Sequence, residues 1–410
     1  MPSERLRIAM LSVHSCPVGT LGAKDTGGMS VYIVELAREL GKQGHLVDIY
    51  TRFHDPGDRQ IYDLGRNVRL IHLRAGEDEP IHKLAVYSHL PNFACALEAF
   101  RKSESLTYDM VFSHYWLSGW VGQYLRLWWQ VPHMIMFHTL GAVKNTFGIG
   151  VADPDLRIET ERDLALNCRH IIAPTEREKE ALISYYGASP QKIGVIPCGV
   201  NLELFRPLDR EMAKRELGFS DEKIVLFVGR LEPLKGLDKL LESIPYLRGE
   251  QKPRLLIVGG DESSRYEEER LLEMSRNLGI EDSVTFSGSI KQERLPYFYS
   301  AADVCVIPSF YESFGLVALE SLACGTPVVS TDVGDAGKIV RCGETGYVVE
   351  DNNPEKLAEK MDLLLAKPGR DMNTALSIRA SVSGFDWSNI AELVAREMRL
   401  VLTRCDALVC

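Results

Sequence analysis

The chain has 410 residues, 45% of them hydrophobic and 25% charged, with a formal net charge of −10. That size suits two or three domains with ordinary globular cores. The acidic balance excludes broad nucleic-acid binding, which needs a basic footprint, but leaves room for a local cationic pocket and a small anionic ligand.

The nine cysteines are scattered and never spaced as CxxC. That pattern fits reduced thiols in a cytoplasmic protein better than a disulfide framework or a zinc module. No signal-peptide layout is evident, and no apolar run approaches the ~20 residues that span a bilayer, so no integral membrane segment is expected.

In chain order, "LRIAMLSV" (6–13) reads as a strand, followed by a polar, glycine-rich loop to Gly28. "MSVYIVELARELGKQGH" (29–45) has helical spacing, with Val31, Val34, Leu36, Ala37 and Leu40 largely on one face. "LVDIYTR" (46–52) is the next strand, so a β-loop-α-β unit and a parallel sheet are expected. "DMVFSH" (109–114), "HMIMFHT" (133–139), "HIIAPT" (170–175) and "IGVIP" (193–197) continue the series, with helical patterns at 86–107 and 153–169. Periodicity fails at 199–210, where proline and charges mark a linker. Five more strands follow: "KIVLFVGR" (223–230), "RLLIVGG" (254–260), "SVTFSGS" (283–289), "DVCVIPS" (303–309) and "TPVVSTD" (326–332), with "GYVVE" (346–350) as a further candidate. "WSNIAELVAREMRLVL" (387–402) is an amphipathic helix.

The reading is therefore α/β, with two consecutive Rossmann-like doubly wound domains facing each other. Ligands of such sheets sit beyond the carboxyl ends of the strands, so an interdomain cleft is the expected site.

The polar residues at those ends carry the chemistry. "VGRLEPLKG" sets Arg230 and Lys235 after a strand, where a guanidinium fork and an ammonium can neutralise a diphosphate. Taken alone, a surface pair bonded to Glu232 is the more common explanation. "ESFGLVALE" (312–320) keeps a carboxylate at each end of an apolar stretch. A helix starting near Gly315 presents unpaired amides from about Ser313 to Leu316, an anion seat. Glu312 and Glu320 are then placed to accept hydrogen bonds from hydroxyls on either side of the anion, which is the pattern of a nucleotide sugar. Helix capping for Glu312 and a buried salt bridge for Glu320 are the plain alternatives. "KDTGGMS" (24–30) brings Gly27 and Gly28 to the opposite strand ends, but its spacing is not GxGxxG, which argues against a dinucleotide site. His14, His114 and His138 lie at strand ends, where a lone histidine is more often structural. No HExxH or Cys/His spacing is present, so no metal site is inferred. "HYWLSGWVGQYLRLWWQ" holds four tryptophans, most simply explained as core packing.

The ordered set "TGGM", "GRLEPLKG", "VGG", "ESFGLVALE" and "GTPVVSTDVG" resembles the retaining glycosyltransferases of family 4, over essentially the whole chain. "SHYWLSGWVG" and "FHTLGAVKN" make it most similar to the sugar-phosphate branch, which includes the N-acetylglucosaminyl-inositol-phosphate synthases and the sucrose-phosphate synthases. The resemblance implies a GT-B fold. It places an acceptor domain at 1–205, a nucleotide-sugar domain at 206–385 and a helix at 386–410 that crosses back to the first domain. It implies that Arg230 and Lys235 hold the donor diphosphate as catalytic cations and that His138 lies near the sugar being moved. Gly28, Glu312, Gly315, Leu316 and Glu320 would bind the donor, with Glu312 at the sugar and Glu320 at the ribose. His14, Asp25, Lys83, Tyr115, Thr139 and Arg157 would form the acceptor site. The chain departs from the branch at Ser30, usually asparagine, and at Asp335-Ala336-Gly337, which leaves the identity of the sugar open.

The implied reaction moves a sugar, glucose or N-acetylglucosamine, from a nucleoside diphosphate to an acceptor hydroxyl with the α configuration kept. A UDP donor is favoured over GDP or ADP. The acceptor is a small phosphorylated molecule such as inositol phosphate or a hexose phosphate. No cofactor is required; divalent-metal dependence and homodimerisation stay open. Two other readings are a GT-B epimerase and a non-catalytic sugar-nucleotide binder. No motif supports the first, and the presence of both cations and both glutamates counts against the second.

Overall fold

The computed structural model describes residues 5–19, 27–77, 79, 81–249 and 252–409, with the side chains of 263 and 404–409 outside that description. Asp25 and most of the loop before Gly27 therefore lie outside the described residues.

The first half builds an eight-stranded sheet from β1 (Arg7–Leu11), β2 (Leu46–Arg52), β3 (Ile61–Gly65), β4 (Val68–Leu73), β5 (Met110–His114), β6 (His133–Met136), β7 (His170–Ala173) and β8 (Ile193–Val195), in the order β3-β4-β2-β1-β5-β6-β7-β8. All pairs are parallel except β3–β4. Helices cover both faces, which is why strands such as β1 and β5 read as unbroken apolar runs: neither face meets water. The β3–β4 hairpin was not foreseen. β3 lies at the sheet edge with alternating exposure, and its turn places Asn67 in the left-handed region at φ 64°.

The second half forms a six-stranded parallel sheet from β9 (Ile224–Val228), β10 (Arg254–Val258), β11 (Val284–Phe286), β12 (Val304–Ile307), β13 (Val328–Thr331) and β14 (Gly346–Val349), ordered β11-β10-β9-β12-β13-β14. The predicted sixth strand is thus present. In each sheet the winding reverses once, between β1 and β5 and between β9 and β12. A crevice opens where neighbouring strands send their chains to opposite faces, so each sheet has one natural ligand seat.

The amphipathic stretch predicted at 387–402 extends as a helix over Trp387–Val409. It begins beside the linker, where Val200 N bonds Phe385 O at 2.8 Å, and packs on the helix Gly28–Lys42 of the first half. Arg379 ties the linker to the second half through Leu202 O (2.6 Å) and Ala323 O (2.9 Å).

The tryptophan cluster divides. Trp116 is buried on the helix Tyr115–Trp129, but Trp128 is 48% exposed beside exposed Tyr124 and Leu127. Core packing accounts for one side of that helix only, because Tyr124, Leu127 and Trp128 on its other side stay exposed.

Candidate active site

The two reversal points face each other across a cleft of about 370 Å³. His14, Lys83, Tyr115, His138, Thr139 and Arg157 line one wall. Arg230, Lys235, Glu312, Gly315, Leu316 and Glu320 line the other, and Gly28 closes the gap between them. Every site residue expected from the sequence lines this one cleft except Asp25, which lies outside the described residues.

The second-half wall is built from two loops. After β9, the chain turns through a short helix, Pro233–Lys235, that aims Lys235 at the loop after β12. Lys235 Nζ donates to Glu312 Oε1 at 2.6 Å, and Ser309 Oγ donates to the same oxygen at 2.8 Å. Arg230 pairs with Glu232 at 2.7 Å, as the plain surface reading anticipates, yet both side chains are more than a third exposed. Such a pair is worth little and yields readily to a phosphate.

Glu312 does not cap the following helix, Leu316–Ala323. The N-cap is Gly315, which has no side chain to offer. Its φ of 112° is a conformation few side chains adopt, so glycine is required here for the backbone itself. The first-turn amides begin at Leu316, later than the Ser313 to Leu316 stretch expected, because the chain enters the helix only after this turn. Nothing caps them from a side chain, so they remain an anion seat.

Glu320 is buried, and no cation pairs with it among the described residues; instead Tyr299 Oη donates to its Oε2 at 2.7 Å. Burial pushes its carboxyl up to about 7, with the tyrosine bond opposing. A buried carboxylate that opens on a cleft without a cation is suited to receive neutral donors such as hydroxyls.

The first-half wall centres on two residues in the left-handed region, Tyr115 (φ 74°) and His138 (φ 62°). Backbone strain of this kind persists where surroundings over-determine it, commonly at sites. His138 Nε2 lies 2.9 Å from His114 Nδ1, and burial holds both rings well below the ordinary histidine range. Both imidazoles are neutral at pH 7, so His138 offers a hydrogen bond rather than a charge. Tyr32 packs edge-on against His138 at 5.3 Å and against Trp387 at 5.3 Å, so the returning helix supports the histidine through one ring.

The His14 ring packs tilted against Tyr115, 4.5 Å between centroids, and burial, with Lys83 next, lowers its pKa to about 3. Lys83 opens the helix Lys83–Ser103 and has no ion-pair partner among the described residues. Arg157 differs from a simple phosphate ligand. It is 1% exposed and bonded to Glu161 (2.7 Å), Asp153 (2.9 Å) and the Thr139 carbonyl (2.8 Å), with Tyr115 over its guanidinium at 4.9 Å. It sits behind Tyr115 and Thr139 and fixes both.

Gly28 shows why the sheets can meet. A Cβ there would lie 3.1 Å from Leu316 Cδ1 across the cleft. Two further contacts between the halves were not legible in the sequence. Ser313 donates to Glu178 Oε2 of the first half at 2.5 Å, and burial raises that carboxyl to about 7. Arg177 Nη2 bonds Asp332 Oδ2 at 2.5 Å. Neither helix-start residue carries a motif; only the facing of the halves pairs them. A second cavity of about 400 Å³ lies on the far side of the 309–313 turn. Its sole lining cation is Arg177, already bound to Asp332, so it lacks what a pyrophosphate needs.

Two doubly wound sheets with facing reversal points, one carrying two cations and an uncapped helix start, define a GT-B sugar-nucleotide transferase. Comparison with known proteins agrees. Residues 26–204 match Glycosyltransferase Family 4 and residues 209–381 match Glycosyl transferases group 1. The D-inositol 3-phosphate glycosyltransferase of Acidothermus cellulolyticus is 40% identical, over 94% of this chain and 88% of its own. That of Corynebacterium glutamicum is 38% identical, over 88% of each chain. A sucrose-phosphate synthase structure from Thermosynechococcus elongatus superposes with a TM-score of 0.88 at 33% identity, covering 98% of this chain and 100% of its own. The Anabaena HepE structure with UDP and glucose shares the fold at a TM-score of 0.75 and 19% identity, over 96% of this chain and 100% of its own. The chain belongs to the family 4 glycosyltransferases. No helix among the described residues is long and apolar enough to cross a membrane.

Proposed function

We propose that this glycosyltransferase moves a hexosyl group from a UDP-sugar to a hydroxyl of a small phosphorylated acceptor, with retention, and that inositol phosphate or a hexose phosphate is that acceptor. The relatives named for inositol phosphate and the sucrose-phosphate synthase likeness support the acceptor class. The observation that carries the reading is the separation of cations in one cleft: Arg230 and Lys235 on one wall, Lys83 on the other, with His138 on that same wall.

In this reading the pyrophosphate rests on Arg230, Lys235 and the amides after Gly315. The ribose hydroxyls donate to Glu320 and the sugar hydroxyls to Glu312, while His138 hydrogen-bonds the sugar as a neutral ring. The acceptor phosphate meets Lys83, beside Tyr115, Thr139 and His14. As the anomeric carbon–phosphate bond breaks, the acceptor oxygen approaches from the same face and passes its proton to the leaving phosphate. Lys235 and Arg230 stabilise the charge that develops there, the kind of preorganised contribution worth about 10²–10³ in rate per donor. Glu312 and Glu320 share one wall, so they do not flank the scissile bond as a hydrolase pair does. Closure across Gly28 and Leu316 excludes water and limits donor hydrolysis.

The test is turnover of UDP-glucose and UDP-N-acetylglucosamine against inositol phosphate, glucose 6-phosphate, fructose 6-phosphate and the unphosphorylated parents, with the product anomer read by NMR. Equal rates on the phosphorylated and free acceptors overturn the acceptor assignment.

A further inference from the structure

Three strands that are neighbours in the first sheet, β4, β2 and β1, each deliver one metal-ligating side chain to the same end. Cys16 follows β1, His54 follows β2, and His72 lies within β4 opposite Thr51. Their ligand atoms, Sγ and one ring nitrogen of each histidine, all lie within 4.8 Å of one another. Cys16 Sγ and His72 Nε2 are 3.5 Å apart. With zinc–sulfur near 2.3 Å and zinc–nitrogen near 2.0–2.1 Å, the sulfur–nitrogen edge of a tetrahedron is about 3.6 Å.

We propose that Cys16, His54 and His72 bind a zinc-class divalent ion and that the ion staples the loop after β1 to the sheet. Asp58 Oδ2 lies 3.8 Å from His72 Nε2, at the rim of the three-residue cluster. It is held in place by the amides of Asp55 (3.1 Å) and His54 (3.3 Å). His72 is fully buried, and both ring nitrogens of His54 are buried without closing a hydrogen bond. The His14 carbonyl lies near the His54 ring, short of hydrogen-bond geometry, and favours a proton there. That is the position from which a backbone carbonyl orients a ligating imidazole. Arg52, whose charge acts on His54, directs its guanidinium to the carbonyls of Glu77 and Glu79.

One thiolate and two imidazoles suit zinc rather than magnesium or calcium, which take oxygen ligands. Binding is balanced by release of the Cys16 thiol proton, which the ion replaces on sulfur. The site takes three protein ligands and leaves its fourth position to water. Its consequence is positional, since Cys16 is two residues from His14 in the proposed acceptor wall.

The test uses the full chain purified without chelators. Metal content is measured after dialysis, and the metal-stripped protein is titrated with cobalt(II) while the near-ultraviolet thiolate-to-cobalt band is recorded. One ion per chain and a saturable band are expected. Cys16→Ser abolishes the band, and His72→Gln weakens cobalt binding by more than the ~10- to 100-fold typical of outer-shell changes. Cys95→Ser, at an exposed cysteine outside the cluster, leaves both unchanged. Circular dichroism confirms folding, and His54→Gln replaces His72→Gln if the latter unfolds. A missing band in the parent, or a band that survives Cys16→Ser, overturns the proposal without touching the transfer reaction.

Discussion

Replacing Lys235 with methionine removes the ammonium and keeps an unbranched stem. In the structure its Nζ is 2.6 Å from Glu312 Oε1, with the side chain 21% exposed, so the charge is held at the cleft face. As the donor bond breaks, the pyrophosphate gains negative charge next to it. Unit charges ~4 Å apart interact by about 4 kcal/mol at an effective dielectric of about 20. At about 1.36 kcal/mol per decade, that is about a thousandfold in rate. Part of the attraction already exists in the bound donor and appears as affinity, which leaves about 10²–10³ in kcat. Steady-state turnover by chromatographic release of UDP gives kcat, and calorimetric titration gives the smaller weakening of UDP binding. The ion pair is a partly exposed one, so the melting temperature should hardly move. A variant that melts like the parent and turns over like the parent refutes the leaving-group role.

Lys83→Ala should raise the KM for a phosphorylated acceptor by about 10- to 100-fold, the range of one charge-assisted hydrogen bond, and spare UDP binding; an unchanged acceptor KM refutes it. Arg157→Met leaves Glu161 buried without a cation, while Asp153 keeps Lys144 at 3.1 Å, and should cost about 3–5 kcal/mol of stability in denaturant melts, so its activity loss reports unfolding; a normally stable variant refutes the supporting role. Glu320, raised to about 7, binds ribose hydroxyls best when ionised, so UDP affinity should climb as pH rises from 6 to 8 and level off above. The same shift means that the group's contribution to folding is fully present below about pH 4.5 and is lost as pH rises through about 7. Glu320→Gln should flatten the affinity profile; a profile equally steep in that variant assigns the titration elsewhere.

Much of the site was legible because it sits at strand ends. A parallel strand buried on both faces is an unbroken apolar run, so its end is visible as the first polar residue, and Arg230, His114 and Glu312 stand at or near such ends. Gly315 was legible for a different reason: only the backbone conformation there requires glycine, and it stands where the helix begins. The start of the helix at Leu316 was less visible, because a turn without side-chain caps leaves no mark in the sequence.

Other features depend on which distant segments face one another. Local order spells out each strand and the ligand seat at each reversal point, since periodicity and chain direction are properties of neighbouring residues. Partners more than a hundred residues apart, such as Ser313 and Glu178, meet only once the halves face each other. The resemblance assigns Arg157 to the acceptor site, and the interior makes it a clamp by surrounding it with Asp153, Glu161 and Thr139. Cys16, His54 and His72 follow no metal spacing, because the spacing that matters runs across the sheet from β1 through β2 to β4, and strand order is a tertiary choice.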